Sequence, residues 1–313
     1  MSTVFVIGSL VASCTVNVER FPKPGESLLA RDFIMEPGGK GFNLLLGAHR
    51  LGVRVDGILP IGDDLFGTMA PLLLEQAGLP VNLLWQSPGP SGGGVGFIDA
   101  SGETSLAVAP GANFRLTHEA ITSLTKRIQA AKIVAAQFET SDEAIIAAFH
   151  IARRAGIRTF FNPSPYRPLS AELLTEVSIL AVNQTEAEAL ALDLGITTAL
   201  ETASPTYEAL ANQVLKSGPE VFILTRGNLG AMAWTREGIT LHQKAFEANS
   251  IDCLGAGDAF NAGFIVALIE QKPLALTLQY AAACGALATE KQGVLYALPS
   301  ASDVYKLIEQ RKV

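Results

Sequence analysis

Apolar residues fall in short unbroken runs, separated by longer stretches in which they recur every three or four positions. The runs are Val4–Ile7, Val55–Leu59, Ile133–Gln137, Thr159–Phe161, Ile179–Val182 and Val221–Thr225. Their near-continuous apolar character predicts strands covered on both faces, as in a parallel sheet, rather than the alternation of a half-exposed strand. The intervening patterns predict helices over Gly41–Leu51, Leu65–Ala77, His118–Ala130, Asp142–Ala155, Thr185–Leu192 and Tyr207–Lys216. Repeated strand–helix alternation builds βαβ units, hence a three-layer α/β/α sandwich around a mostly parallel central sheet. From Gly257 to Thr289 the chain reads as helical, rich in small residues and buried. No internal repeat or low-complexity linker interrupts it, so residues 1–313 read as a single domain.

Two stretches break the alternation. Residues 14–36 run from an apolar strand through Pro22, Pro24 and Gly25 into Leu28–Met35 with no helix. Residues 91–108 open on Ser91-Gly92-Gly93-Gly94 and place two short strands around a turn at Asp99-Ala100-Ser101-Gly102. These inserted strands read either as a small β-sheet lid over a ligand at the carboxyl ends of the main strands, or as an extra edge hairpin.

With 49% hydrophobic and 17% charged residues, the 313-residue chain can bury a large core, which excludes intrinsic disorder. A net charge of −7 without a basic run argues against a nucleic-acid partner. No apolar stretch approaches the ~18 residues that span a bilayer, so no membrane partner is expected. Three cysteines make a disulfide scaffold improbable and point to a reducing, cytoplasmic compartment. The run ending Val11-Ala12-Ser13-Cys14 has the look of a lipoprotein cleavage box, but Met1-Ser2-Thr3 lacks the positive charge of a signal peptide, so Val4–Cys14 is read as a first buried strand.

The densest chemical signal is Asp252-Cys253-Leu254-Gly255-Ala256-Gly257-Asp258-Ala259-Phe260-Asn261. Small residues opening a helix leave backbone N–H groups free for an anion, and the helix dipole favours negative charge there. An acid in the same turn would repel a phosphate unless its carboxylate performs chemistry, such as accepting a proton from an attacking hydroxyl. The plainer reading of Asp258 is a dipole-friendly first-turn residue. A second cluster, Pro37-Gly38-Gly39-Lys40-Gly41-Phe42-Asn43, lacks the spacing of a P-loop, and Gly8 does not begin a dinucleotide fingerprint. It suits close approach by a polar ligand, or else a helix start with a solvated Lys40. Asn183 and Glu186 read equally well as caps of the helix after them, Glu139 as a partner for the start of the Ser141 helix, and Thr225 with Gly227 and Gly230 as a hairpin turn. Cys253 is read as a buried small residue, and the four histidines show no metal-ligand spacing.

Taken in order, the motifs resemble the ribokinase-like family of carbohydrate kinases, the phosphofructokinase B superfamily. Val6-Ile7-Gly8-Ser9 with Phe21–Glu26 looks like the family's opening, Gly38–Asn43 its first signature, and Gly62–Gly67 the motif that follows. Pro110–Asn113, Asn162–Pro165, Asn183–Glu186 and Thr225–Gly230 match further motifs, and Asp252–Asn261 the second signature. The resemblance implies an ATP-dependent, Mg²⁺-requiring kinase for a sugar or sugar-like alcohol. Asp258 would be the general base, with Gly255, Ala256 and Gly257 as the anion hole. Asn183 and Glu186 would organise the phosphates and Mg²⁺, Glu186 through water, and Thr225, Gly227 and Gly230 would lie by the nucleotide. Ser13, Gly39, Lys40, Asn43 and Glu139 would face the sugar. Asp252 would hold a monovalent cation such as K⁺, although Gly293–Ala297 departs from the usual loop there. Relatives pair lid strands in a homodimer. Relatives that take ribose carry an Asn and an Asp where this chain has Val11 and Ser13. A nucleoside kinase and a catalytically silent sugar- or nucleotide-binding protein are the alternatives.

Overall fold

The computed structural model describes residues 3–101, 103–196 and 204–310. Met1, Ser2 and Gly102, which figure in the cleavage-box and turn readings, lie outside them. The first third of the chain forms β1 (Thr3–Ile7), β2 (Val11–Asn17), β3 (Asp32–Gly38), α1 (Lys40–Arg50), β4 (Arg54–Ile61), α2 (Leu65–Gln76), β5 (Leu84–Gln86), β6 (Gly92–Ile98) and β7 (Thr104–Ala109). There follow α3 (His118–Thr122), α4 (Thr125–Gln129), β8 (Ile133–Gln137), α5 (Asp142–Arg154), β9 (Arg158–Asn162), α6 (Ala171–Glu176), β10 (Ile179–Asn183) and α7 (Gln184–Asp193). The last third holds α8 (Ser204–Ser217), β11 (Val221–Thr225), β12 (Ala231–Thr235), β13 (Thr240–Gln243), α9 (Ala256–Ile269), α10 (Leu274–Ala288) and α11 (Ala301–Gln310).

The main sheet has nine strands in the order β13-β12-β11-β10-β9-β8-β1-β4-β5, parallel from β5 to β11 and antiparallel at β12 and β13. Alternate strand residues feed two separate cores. Val4 and Val6 pack with Phe42 of α1, Phe264 of α9 and Tyr280 of α10. Phe5 and Ile7 pack on the other side with Ile145 and Phe149 of α5 and Leu210 of α8. Helices therefore cover both faces of the sheet, and the predicted α/β/α sandwich is what forms. Among the described residues no helix is long and apolar enough to cross a membrane.

The inserted strands join none of the main strands. They form their own four-stranded sheet, β3-β2-β6-β7, which overturns the edge-hairpin reading. The expected single strand over Val4–Cys14 is likewise two strands in two sheets, parted at Gly8-Ser9-Leu10. The physical cause is the crossing of β1 and α1: a Cβ on Gly41 would lie 2.1 Å from the Gly8 Cα, so the chain after β1 passes against the helix backbone and turns away. The predicted helix 118–130 breaks into α3 and α4 at Ser123-Leu124.

Candidate active site

Parallel strands deliver their last residues to one edge of the sheet. Gly8 and Ser9 follow β1, Phe138 and Glu139 follow β8, and Asn162, Asn183 and Thr225 end β9, β10 and β11. Open α/β sheets bind ligands at this edge. Two adjoining cavities lie there. The smaller, about 200 Å³, is lined by Lys40, Asn162, Asn183, Glu186, Gly257 and Asp258 among others. The larger, about 560 Å³, is within the range of cofactor sites and is lined by Thr225, Gly227, Gly230, Phe246, Ala256 and Ala286 among others. Asn183, Thr225, Cys253 and Gly257 line both, so the two spaces adjoin.

Helix α9 begins at Gly255, a left-handed residue at φ +76° that gives the helix no side-chain cap. The Ala256 N–H turns back to the Cys253 carbonyl, which leaves the Gly257 and Asp258 N–H groups open to a ligand, as an anion site requires. Asp258 sits in that first turn, only 6% exposed. Asn43 Nδ2 donates to Asp258 Oδ2 at 2.8 Å, and Lys40 Nζ stands 3.8 Å from Asp258 Oδ1. The Asp258 carboxylate raises the Lys40 ammonium above the ordinary lysine value, against the opposing effect of burial, and Glu139 and Glu186 add to the rise. Lys40 is therefore charged throughout the neutral range. The buried Asn43 Oδ1 has no partner, which marks a polar position that a ligand can satisfy.

Glu139 does not serve the helix after it. Ser141 caps α5 with its own hydroxyl, accepting from the Ala144 N–H. Glu139 instead crosses to α1: its Oε2 accepts from Ser9 Oγ at 2.5 Å and from the Lys40 N–H at 2.7 Å. The Gly41 N–H donates to Ser9 Oγ, and the Phe42 N–H to the Ser9 carbonyl. Gly39, at φ +102°, supplies no side-chain cap, so Ser9 and Glu139 supply it from other elements. The result fixes Lys40 and Asn43 toward Asp258. Ser9, buried at that junction, was missed from the sequence; its signal was a hydroxyl directly after the first strand and Gly8.

Asn183 and Glu186 form a complete capping box on α7, so the plain structural reading of both is correct. They also line the smaller cavity. Asn162 Nδ2 donates to Glu186 Oε2 and to the Ala181 carbonyl, while Asn261 Nδ2 donates to Asn162 Oδ1. Asn162 and Asn261 are thus site residues that sequence reading left without a role. Thr225 ends β11, and Gly227 and Gly230 shape the tight turn into β12, as the hairpin reading has it.

Three expectations need correction or qualification. Cys253 is exposed and lines both cavities, because the loop before α9 carries it outward; the buried cysteine is Cys284. Ser13 lies on β2 of the small sheet and lines neither cavity. Asp252 also lines neither; its two oxygens accept from the Leu254 and Gly293 N–H groups.

The profile of the pfkB family carbohydrate kinase matches residues 1–301. The chain is 31% identical over 313 residues to a ribokinase of Haemophilus influenzae, covering 98% of each, and 28% identical over 302 residues to a deoxyribokinase of Salmonella typhimurium, covering 94% of this chain and 95% of that one. Among solved structures, an Arabidopsis thaliana ribokinase complexed with ribose and ATP superposes with a TM-score of 0.87 at 26% identity, covering 98% of both chains. The chain belongs to the pfkB family of carbohydrate kinases, enzymes that carry a phosphoryl group from ATP to a sugar.

Proposed function

We propose that the chain phosphorylates a primary hydroxyl of a sugar or sugar-like acceptor, with Asp258 as the general base and the Gly255–Gly257 helix start as the hole for the transferring group. The observation that carries this reading is the Asp258 carboxylate in the first turn of an uncapped helix, facing Lys40 and Asn43 in the smaller cavity, next to Gly257, which lines both cavities. The larger space takes the nucleotide, against Thr225, Gly227 and Gly230. Asn183 and Glu186 lie between it and Asp258, where the phosphates pass. The buried Glu186 carboxylate, oriented by Asn162 and the Asn183 N–H, fits Mg²⁺ held through water. Mg²⁺ supplies charge neutralisation on the phosphates. Phosphoryl transfer needs alignment, neutralised charge and a base, all of which this arrangement offers without a covalent nucleophile. Asp252 holds a monovalent cation in this reading. An ADP-release assay over sugars, sugar phosphates and nucleosides, run with and without Mg²⁺ and in K⁺ against tetramethylammonium, tests the whole proposal. Turnover only on nucleosides would make it a nucleoside kinase, and no turnover a binding protein. We place the enzyme in the cytoplasm, consistent with three unpaired cysteines.

D-ribose is not the preferred acceptor. The side chains at the positions the resemblance assigns to the sugar are Val11, which cannot hydrogen-bond, and Ser13, which lies outside the lining of both cavities and whose hydroxyl is a weaker partner than a carboxylate. Of the two nearby carboxylates, Glu139 gives its Oε2 to Ser9 and the Lys40 N–H, and Glu36, opposite Ser13 in the strand pair, faces the Val294 N–H. Losing a charged hydrogen-bond partner costs about 10–100-fold in affinity. In a comparison of kcat/KM across pentoses, hexoses, amino sugars, sugar phosphates and nucleosides, another acceptor ranks above D-ribose. D-ribose in first place with a sub-millimolar KM would refute this.

The small sheet is proposed to act as the lid and to join two subunits. Phe33, Met35 and Val95 share one of its faces and are 63%, 55% and 54% exposed. So large a set of bare apolar groups on a free-standing sheet is a partner surface. Light scattering at micromolar concentration is expected to give twice the 33.0 kDa chain mass; the monomer mass would overturn the dimer.

A further inference from the structure

The loop after α10 presents two consecutive backbone N–H groups, each taken by a carboxylate from a different part of the molecule. The Gly293 N–H donates to Asp252 Oδ2 at 3.0 Å. The carboxylate of Glu36, reaching in from strand β3, faces the Val294 N–H. Glu36 also abuts Gly293, its oxygens 3.5 and 3.7 Å from where a Cβ would stand. Between these two anchors the Val294 side chain is held, buried, against Gly255: its methyl carbons lie 2.9 and 3.0 Å from the position of a Cβ on that residue. Gly255 opens α9 without a side-chain cap; the Ala259 N–H holds its carbonyl, and Val294 packs on its open side.

Glu36 is an unusual residue for a purely structural peg. It is half-buried, and burial and the neighbouring Asp252 carboxylate both push its carboxyl above the usual range. A neighbour such as Ser13 on the same strand pair makes no such bond across to the loop.

We propose that Glu36 is a positioning residue for phosphoryl transfer: from the lid it holds the Val294 backbone, and Val294 in turn holds Gly255 in the shape the anion hole needs. The proposal rests on the reading of Gly255–Gly257 as that hole. It gives the lid a second task besides covering the acceptor, because a lid strand displaced from the body releases Val294 and loosens the hole. Glu36 touches no substrate in this arrangement and acts through Val294 alone.

The test compares binding of ADP, which lacks the terminal phosphate, with binding of its non-hydrolysable triphosphate analogue AMP-PNP, both with Mg²⁺, by calorimetry. Glu36→Ala is expected to weaken AMP-PNP about tenfold, the lower end for a charged hydrogen bond, and to leave ADP within twofold. Glu36→Gln, which keeps an acceptor oxygen, is expected to restore most of the difference. Val294→Ala reaches the same relay from its other end and serves if Glu36→Ala does not fold. Gly257→Ala is the control for the hole itself: its methyl would meet no atom within 4 Å, so the fold stands while the methyl occupies the anion's place. If Gly257→Ala discriminates between the nucleotides but Glu36→Ala and Val294→Ala weaken both equally or neither, the positioning role is overturned and the hole stands. If Gly257→Ala does not discriminate, the hole reading falls and the role of Glu36 with it.

Discussion

Asp258→Asn is expected to lower kcat by about 10²–10⁴-fold, the usual contribution of positioned proton transfer, while leaving nucleotide affinity near wild type and removing the stability that the Lys40–Asp258 pair contributes at neutral pH. The substitution is isosteric, and an amide oxygen still accepts the hydrogen bond that Asn43 Nδ2 makes at 2.8 Å. What disappears is the basicity needed to take the acceptor's hydroxyl proton. A second readout follows from Lys40, whose ammonium is raised chiefly by this carboxylate. A group with a raised folded-state pKa contributes stability that is complete below its ordinary value, ~10.4, and lost as pH climbs through the raised one. Removing the Asp258 charge moves the Lys40 titration back toward lower pH, and the alkaline loss of stability moves with it. Steady-state rates and melting curves between pH 6 and strongly alkaline solution measure both effects. Retention of more than about a third of wild-type kcat would end the assignment of Asp258 as the base.

Gly41→Ala is expected to destabilise the protein by about 3 kcal/mol, at the upper end of overpacking costs, and to lower Tm by roughly 5 °C. The new methyl would stand 2.1 Å from the Gly8 Cα and 2.2 Å from the Ser9 nitrogen, and backbone at the middle of a sheet cannot swing aside as a flexible side chain can. Strand β1 lies between β4 and β8, while α1 is seated on α9, where a Cβ on Gly47 would already be 2.8 Å from the Ala262 methyl. Separating β1 from α1 also pulls Ser9 and Glu139 from the N–H groups of Lys40 and Gly41, so activity falls with stability. Differential scanning fluorimetry distinguishes this from a general intolerance of alanine: Gly257→Ala, in open space, shifts Tm by little. A Gly41→Ala protein melting within 2 °C of wild type would show that the crossing is looser than these distances say.

The main sheet was legible because its strands are covered on both faces. Ile133–Gln137 and Val221–Thr225 read as unbroken apolar runs and occur as strands with those bounds. Strands and helices outside that pattern were not legible. β12 is entirely buried, yet its Ala-Met-Ala-Trp-Thr follows a turn closely and looks like a continuation of it. α6 is only six residues long, held by the Ser170 cap and by Leu173 and Leu174, too short for a helical period to show.

The glycine motifs and Asp258 stood out in the sequence because they are local: spacing alone places an acid in the first turn after small residues. Which residues face that acid is a different kind of fact. Lys40 and Asn43 lie more than two hundred positions away along the chain, and nothing in their own neighbourhood names Asp258 as their partner. Glu139 looked toward the helix beside it and in fact caps α1, because β8 lies next to β1 in the sheet and brings the two strand ends together. Cys253 looked buried by composition and is exposed because its loop leaves the core before α9 begins. The amino-acid sequence by itself determined the covered parallel sheet, the two glycine-rich helix starts and the acid at the second of them, since each depends on residues a few positions apart. Only the tertiary structure decided that Glu36 of the small sheet reaches the loop at Gly293, that Ser9 and Glu139 build one cap, and that both cavities are lined by Gly257. Those contacts depend on sheet order and strand register, which set residues from distant parts of the chain within a few ångströms of one another.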